Sequence, residues 1–321
     1  MMAAPSRWLS RALAAPRVAW RIAHLGRPGR LIVFGHVSIG DDLLCTALLR
    51  ECRRRGETGL WMMSRHPGLF AGNTDVDRLL PLDDYHFLAL QRLGARVVQP
   101  YYIGMRSDSQ PLATPPREHF ITQMCRLAGL TGEITLRPYL HLTDAERRTG
   151  VISSRQVVIH SSGRQAKFTS ANKEWFPERF QSVVSQLRGQ FDFIQLGGPE
   201  DPLLEGARDL RGRTSLRESA AIMAASRAVV CQEGFPMHLA RAVDVRAVVV
   251  YGGALHPAIS GYAANENIYS AVPCAPCWER NHCNYERRCM TAITVEHVIA
   301  ALQSAIALHG QALTAEMVTL P

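Results

Sequence analysis

A short apolar run, a glycine-bearing loop and a helix-patterned segment follow one another near the start of the chain. The same order begins again at its middle. This restart limits the fold more than any other feature. Leu31-Ile-Val-Phe34 leads into Gly35, His36, Val37, Ser38, Ile39 and Gly40, and the residues from Asp41 to Gly56 place apolar side chains at helical spacing before a glycine stop. Strand-like runs at Leu60–Met63, Leu79–Leu82 and Arg96–Gln99 continue the alternation. Pro111, Pro115 and Pro116 mark an exposed loop over 105–117 near the cleft, and 118–130 reads as a helix. After a polar stretch from Leu142 to Arg155, Val157–His160 restarts the pattern with a Ser-Ser-Gly loop. A helix over Pro177–Arg188, a strand over Phe191–Leu196, Gly197-Gly198, a helix over 216–226, a strand over Ala228–Cys231, a helix over 236–243 and a strand over Ala247–Tyr251 complete it. The expectation is an α/β chain with two Rossmann-like domains, 30–150 and 151–321, behind a basic segment at 1–29.

At 321 residues, 47% hydrophobic and 20% charged, the chain suits two ordinary soluble domains. No run of eighteen apolar residues is present, and the N-terminus lacks an apolar stretch before a small-residue cleavage site, so a cytoplasmic protein is expected. Arg7, Arg11, Arg17, Arg21, Arg27 and Arg30 supply six of the +8 net charges, and no acid accompanies them. With Trp8 and Trp20 between them, they suit an anionic inner-membrane surface. The plainer reading is a solvated tail, because Pro16 interrupts any single amphipathic helix. No nucleic-acid recognition motif appears.

A series of short stations then runs along the chain. Gly40-Asp41 opens the first helix; Lys173-Glu-Trp175-Phe-Pro177, Leu196-Gly-Gly198, Gly212-Arg-Thr-Ser-Leu216, His238-Leu-Ala240 and Tyr251-Gly-Gly253 follow in order. Each is weak alone. Together they make the chain, from residue 31 onward, resemble the bacterial heptosyltransferases of glycosyltransferase family 9. The resemblance implies the GT-B fold, in which two Rossmann-like domains with parallel sheets face a central cleft. It also implies inverting transfer from a nucleoside-diphosphate sugar, ADP-heptose in the best-known members.

Inverting transfer is one displacement at the anomeric carbon. It needs a base for the acceptor hydroxyl and a means of holding the departing diphosphate. By resemblance Asp41 is the base; a helix N-cap is its plainer role, and Asp42 rivals it for either. Lys173 matches the family lysine that neutralises the donor phosphates; without the resemblance it would read as a solvated lysine. Ser161, Ser162 and Gly163, directly after a strand, are placed to offer amides to phosphate, with Arg164 and Lys167 adding charge. Glu200 is a candidate partner for the donor ribose. The family's Asp-Thr-Gly before its histidine is replaced by Gln232-Glu233-Gly234, so either Glu233 substitutes for the acid or the donor sugar differs. Gly234 and His238 are placed at the diphosphate or sugar. Asp75-Val-Asp77 resembles the metal-holding Asp-x-Asp of another glycosyltransferase fold, but here it precedes a strand and reads as a turn cap. No catalytic metal is expected, since enzymes of this type use basic residues and helix dipoles.

Four of the eight cysteines crowd together as Cys274, Cys277, Cys283 and Cys289, a C-x2-C-x5-C-x5-C spacing. Four thiolates so near in sequence can surround one tetrahedral ion, and all-sulfur sites suit zinc or iron. Ordinary thiols or a redox switch are the alternatives. A comparable iron-bearing cysteine finger is a feature of the autotransporter heptosyltransferases. With four protein ligands no position would remain open, so the metal is expected to brace a loop rather than perform chemistry. The leading acceptor is a lipopolysaccharide or other surface glycan. A protein serine of an autotransporter adhesin is the alternative acceptor; a nucleotide-sugar epimerase and a non-catalytic metal-binding scaffold are alternative functions on the same fold.

Overall fold

A computed structural model describes Pro16, Trp20 and residues 28–33, 38–105, 115–166 and 169–321. The basic segment expected at 1–29 falls almost wholly outside the described residues, as do Lys167 and most of the proline-bearing loop. No helix of the described residues is long and apolar enough to cross a membrane.

The first half runs β1 (Arg30–Val33), α1 (Ile39–Arg54), β2 (Leu60–Ser64), β3 (Arg78–Pro81), α2 (Asp84–Arg92), β4 (Val97–Val98), α3 (Phe120–Leu127), β5 (Gly132–Thr135) and α4 (Asp144–Thr149). Strands β1 to β4 form a parallel sheet in the order β3-β2-β1-β4. The second half runs β6 (Gln156–His160), α5 (Pro177–Leu187), β7 (Asp192–Gln195), β8 (Arg208–Asp209), α6 (Leu216–Ala224), β9 (Val229–Gln232), α7 (Phe235–Ala242), β10 (Ala247–Gly252), α8 (Pro257–Ser260), β11 (Glu266–Tyr269), α9 (Arg288–Thr291), α10 (Val295–Ala307) and β12 (Met317–Leu320). Its sheet reads β8-β7-β6-β9-β10-β11, all parallel. That is the Rossmann order 3-2-1-4-5-6, whose direction reverses between β6 and β9. In such sheets ligands bind outside the carboxyl ends of the strands at the reversal. The first sheet reverses in the same way between β1 and β4.

Several features lie outside the sequence expectation, among them the edge strands β8 and β11 and the short helix α8. The polar stretch 142–155 contains α4, closed by a capping box in which Thr143 and Glu146 satisfy each other's backbone amides. The segment Asp84–Arg92 is helical, its first turn capped by the Asp83 carboxylate. Strand β12, distant in sequence, pairs antiparallel with β5, so the last described element completes a ribbon in the first half.

Helix α1 carries Asp41 and Asp42 in its first turn and Arg53 and Arg54 in its last, matching the helix dipole at both ends. It is buried on nearly every face because it lies between the first sheet and α7. One hydrophobic cluster takes in Ile32, Leu43 and Leu48 from the first half and Met237, Leu239 and Val249 from the second. The fully buried Glu51 on α1 is held by Arg50 Nη2 at 3.1 Å, by Arg55 Nη1 at 3.1 Å and by the Thr135 amide at 3.1 Å.

Candidate active site

The carboxyl ends of both sheets open onto one cleft of about 800 Å³. Its two walls differ in chemistry.

Asp41 enters from the first turn of α1, almost buried, and accepts a 2.5 Å hydrogen bond from the Tyr102 hydroxyl. Tyr102 stacks on Phe120 with ring centroids 4.0 Å apart. Burial, and then the Asp41 charge, push the phenol far above its ordinary range, so it stays a donor. Asp42, one residue on, turns away from the cleft. Its Oδ2 accepts from Ser64 Oγ at 2.5 Å and meets His66 Nδ1 at 2.9 Å. Burial raises the Asp42 carboxyl, and the bonds from Ser64 and His66 oppose that rise. The two neighbouring acids therefore divide the roles left open by the sequence: Asp41 lines the cleft, and Asp42 holds His66, which does.

On the opposite wall Lys173 lines the cleft and forms an ion pair with the buried Glu233. Ser260 Oγ donates to the other Glu233 oxygen at 3.2 Å. Gly234 is the N-cap of α7 with φ +143°, a conformation that favours glycine. The start of α7 faces the start of α1: a Cβ on Gly40 would lie 3.8 Å from the Phe235 backbone. Two helix N-termini thus look into the same space, an arrangement suited to negative charge. His238 lines the cleft with its Nδ1 2.6 Å from the Tyr262 hydroxyl, and burial lowers its pKa to about 3, so the ring is neutral.

The loop after β6 departs from the expectation. The Gly163 amide, expected to face phosphate, donates to Glu174 Oε1 at 2.7 Å, and Ser162 Oγ donates to Glu174 Oε2 at 3.1 Å. Gln232 Nε2 donates to Glu174 as well, at 2.6 Å. Ser161 is buried, accepts from Gln195 Nε2 at 3.3 Å and does not line the cleft. Glu174, inside the Lys-Glu-Trp station, is thus the buried acid that organises this loop. Gln232 is its partner rather than a lone replacement for an acid.

Glu200 is exposed and off the cleft; its neighbour Asp201 is buried and lines it. Asp201 Oδ2 accepts from the Gly198 amide at 2.8 Å, while Oδ1 and the buried His160 Nδ1 have no hydrogen-bond partner among the described residues. Burial depresses the His160 pKa despite the Asp201 charge. His160 ends β6 and Asp201 lies in the loop after β7, on the side where a Rossmann unit meets a ribose. Of the decoy acids, Asp77 accepts from the Leu60 amide at 2.7 Å and from Arg53, and Asp75 accepts from Tyr139.

All eight cysteines are free of disulfides. Cys283 Sγ accepts from the Tyr285 and Arg287 amides at 3.4 and 3.3 Å. Burial raises the thiols of Cys277 and Cys289, and the charges of the other cluster cysteines reach both. Among the described residues no three His, Cys, Asp or Glu side chains stand together as a ready metal cage. The loop packs on Gly253, where a Cβ would lie 2.7 Å from Ala275 Cβ and 2.8 Å from Cys289 Cβ. It also cradles the turn bearing Lys173: Asn172 Nδ2 donates to the carbonyls of Glu279 at 3.0 Å and His282 at 2.8 Å, and the Asn172 amide donates to Arg280.

A family model described as glycosyltransferase family 9 (heptosyltransferase) matches residues 96–286. No curated protein matches the chain. Among solved structures, Escherichia coli ADP-heptose LPS heptosyltransferase II is similar at TM-score 0.64 and 17% identity, covering 87% of this chain and 98% of that one. A glycosyl transferase family 9 protein from Veillonella parvula DSM 2008 reaches 0.61 at 14% identity, covering 88% and 98%. The iron-containing dodecameric glycosyltransferase TibC from enterotoxigenic E. coli H10407 reaches 0.63 at 16% identity, covering 88% and 77%.

Proposed function

The chain belongs to glycosyltransferase family 9, the heptosyltransferases, and is a glycosyltransferase; from that premise we propose that it moves heptose from ADP-heptose onto a hydroxyl of a lipopolysaccharide or other surface-glycan acceptor. One observation carries this reading: Lys173 and the start of α7 meet in a single cleft opposite Asp41. Structures of TibC in complex with ADP-D-β-D-heptose and of E. coli heptosyltransferase WaaC with ADP-2-deoxy-2-fluoro heptose lend support to the donor.

In this reading the acceptor oxygen bonds to the anomeric carbon as the bond to the diphosphate breaks, and the electron pair leaves with the diphosphate. Asp41 takes the hydroxyl proton, a contribution of about 10²–10⁴ in rate. Lys173 exchanges Glu233 for the diphosphate, which also faces Gly234 and the start of α7. Glu233, released from the lysine, and His238 meet the sugar. Asp201, rather than Glu200, meets the ribose. The first half, 30–150, receives the acceptor and the second, 151–321, the donor. The basic segment 1–29 rests on the inner membrane from its cytoplasmic side.

Cys274, Cys277, Cys283 and Cys289 bind a structural zinc or iron. Amide donors at Cys283 suit a thiolate ligand. The ion would draw the four sulfurs together and stiffen the loop that holds the turn of Lys173. The same loop favours a second reading, in which the acceptor is a protein serine.

Thermal-shift measurements with ADP-heptose and other nucleoside-diphosphate sugars test the donor. Selective stabilisation by ADP-heptose, weakened at least about tenfold in affinity by Lys173→Ala, is the expected result. Failure of every nucleotide to bind would overturn it. Metal analysis of the purified protein tests the ion, with Cys283→Ser expected to lose metal and to lower Tm.

A further inference from the structure

Between the second and third cysteines of the cluster the chain runs Trp278-Glu279-Arg280-Asn281-His282, so Arg280 lies three residues from both Cys277 and Cys283. One end of this loop is docked on the turn after β10. The Cys277 amide donates to the Gly253 carbonyl at 3.0 Å, and the Trp278 amide donates to that of Ala254 at 2.9 Å. The tip lies on the turn that carries Lys173. The Arg280 carbonyl accepts from the Asn172 amide at 3.1 Å and from Ser170 Oγ at 2.8 Å, and Asn281 Oδ1 accepts from the Ala171 amide at 3.0 Å.

Two cations from segments far apart in sequence are thereby brought to one place: the side chains of Lys173 and Arg280 both line the cleft. Lys173 is matched by Glu233, so that pair adds no net charge, whereas Arg280 adds one. The diphosphate of a nucleotide sugar is a dianion and gains from the second cation. A guanidinium also forks onto two oxygens of one phosphate, which an ammonium does not. Position along the cleft decides which phosphate it meets. Gly198 and Asp201, on the ribose side, belong to the end of β7 and the loop after it. Ser170, which bonds the Arg280 carbonyl, lies 3.8 Å from Met105 Sδ of the first half. Arg280 is therefore at the end of the diphosphate nearer the transferred sugar.

We propose that Arg280 is a diphosphate-binding residue, presented by the cysteine loop, whose guanidinium contacts the β-phosphate of the donor beside Lys173. As the anomeric bond breaks, its electron pair moves onto a β-phosphate oxygen. The guanidinium donates N–H bonds to that phosphate and keeps all its protons. The inference rests on the donor reading and deepens it: the cysteine loop supplies a side chain that touches the substrate as well as bracing the turn of Lys173.

The test is titration calorimetry of the full chain with ADP, AMP and inorganic pyrophosphate. Arg280→Ala should weaken ADP and pyrophosphate at least about tenfold, the scale of a lost hydrogen bond to a charged group, and AMP less than about threefold. Retained AMP binding also shows that the variant folds; should it not fold, Arg280→Gln keeps the length of the side chain and gives the same readout. Arg280→Lys, which restores the charge without the fork, should fall between the wild type and Arg280→Ala for ADP. ADP affinity that survives Arg280→Ala unchanged would overturn the proposal and leave the donor reading standing, as would an equal loss for AMP and ADP. A wild-type protein that binds pyrophosphate through Arg280 but neither nucleotide would remove the donor reading and leave the anion contact in place.

Discussion

The two walls of the cleft are built to different rules. The second half has a full six-strand Rossmann order, and its binding loops are already tied down: Glu174 holds Ser162, Gly163 and Gln232, and Glu233 holds Lys173. Among the described residues the first half has four strands in its parallel sheet and leaves the His66 Nε2 unpartnered. A nucleotide is a fixed, repeated chemical unit, and a rigid cradle suits it. If the first half receives the acceptor, as proposed, its sparser wall needs fewer changes to receive a new one. The difference also separates what variants should do on each side.

The sharpest separation is chemical. Asp41→Asn should lower turnover by about 10²–10⁴ while ADP-heptose still stabilises the protein, read by nucleotide release beside thermal shift. Equal loss of donor affinity would erase the distinction between the walls. Next comes the shared core. Glu51→Ala should cost about 3–5 kcal/mol in denaturant unfolding, because Arg50 and Arg55 would lose a fully buried partner. A cost below 1 kcal/mol would mean that Arg50 and Arg55 are satisfied by solvent without it.

Acid should act where the halves meet. His119 bridges them, its Nε2 3.0 Å from the Gly261 carbonyl and its Nδ1 accepting from the Ile121 amide at 3.2 Å, so it must be neutral. Burial lowers its pKa to about 4 and that of His238 to about 3. Both folded-state values lie below the unfolded one, so the unfolded chain takes up protons first. Stability then falls as pH drops below about 6.5, by about 2 kcal/mol per histidine at pH 5. Unchanged unfolding between pH 7 and 5 would count against both. The smallest effect is a contrast of neighbours. Asp201→Asn should weaken donor binding, whereas the exposed Glu200→Ala should change neither affinity nor stability beyond about 0.5 kcal/mol.

How much of this was legible in the sequence follows from the range of each signal. The alternation of apolar runs and helical spacing carried the inner strands of both sheets, which are buried, and missed the edge strands β8 and β11, which are half-exposed. The family stations located Asp41, Lys173, Glu233, Gly234 and His238 on one cleft. Helix α4 was missed although its Thr-x-x-Glu box stood in plain view, since its short, polar segment has no buried face to give it a period. Strands β5 and β12 are four residues each and identify one another only through pairing across the fold. Glu174 hid inside a motif read for its lysine, and Asp201 lost to an adjacent acid because spacing cannot tell which of two neighbours turns inward. Nothing local links His66 to Asp42, 24 residues away; only parallel pairing of β1 and β2 does so.

The pairing of Ile134 with Val318 spans 184 residues. During synthesis the first half emerges with β5 lacking its partner, and at about 5–20 residues per second that edge waits roughly 10–40 s. Through that interval the nascent chain carries an open strand able to pair wrongly with a neighbour. Closing so distant a contact also carries a loop-entropy cost that a local hairpin avoids. The first half is therefore first to be made and last to be finished, and a chain cut before residue 317 would have both sheets and still lack its closing ribbon.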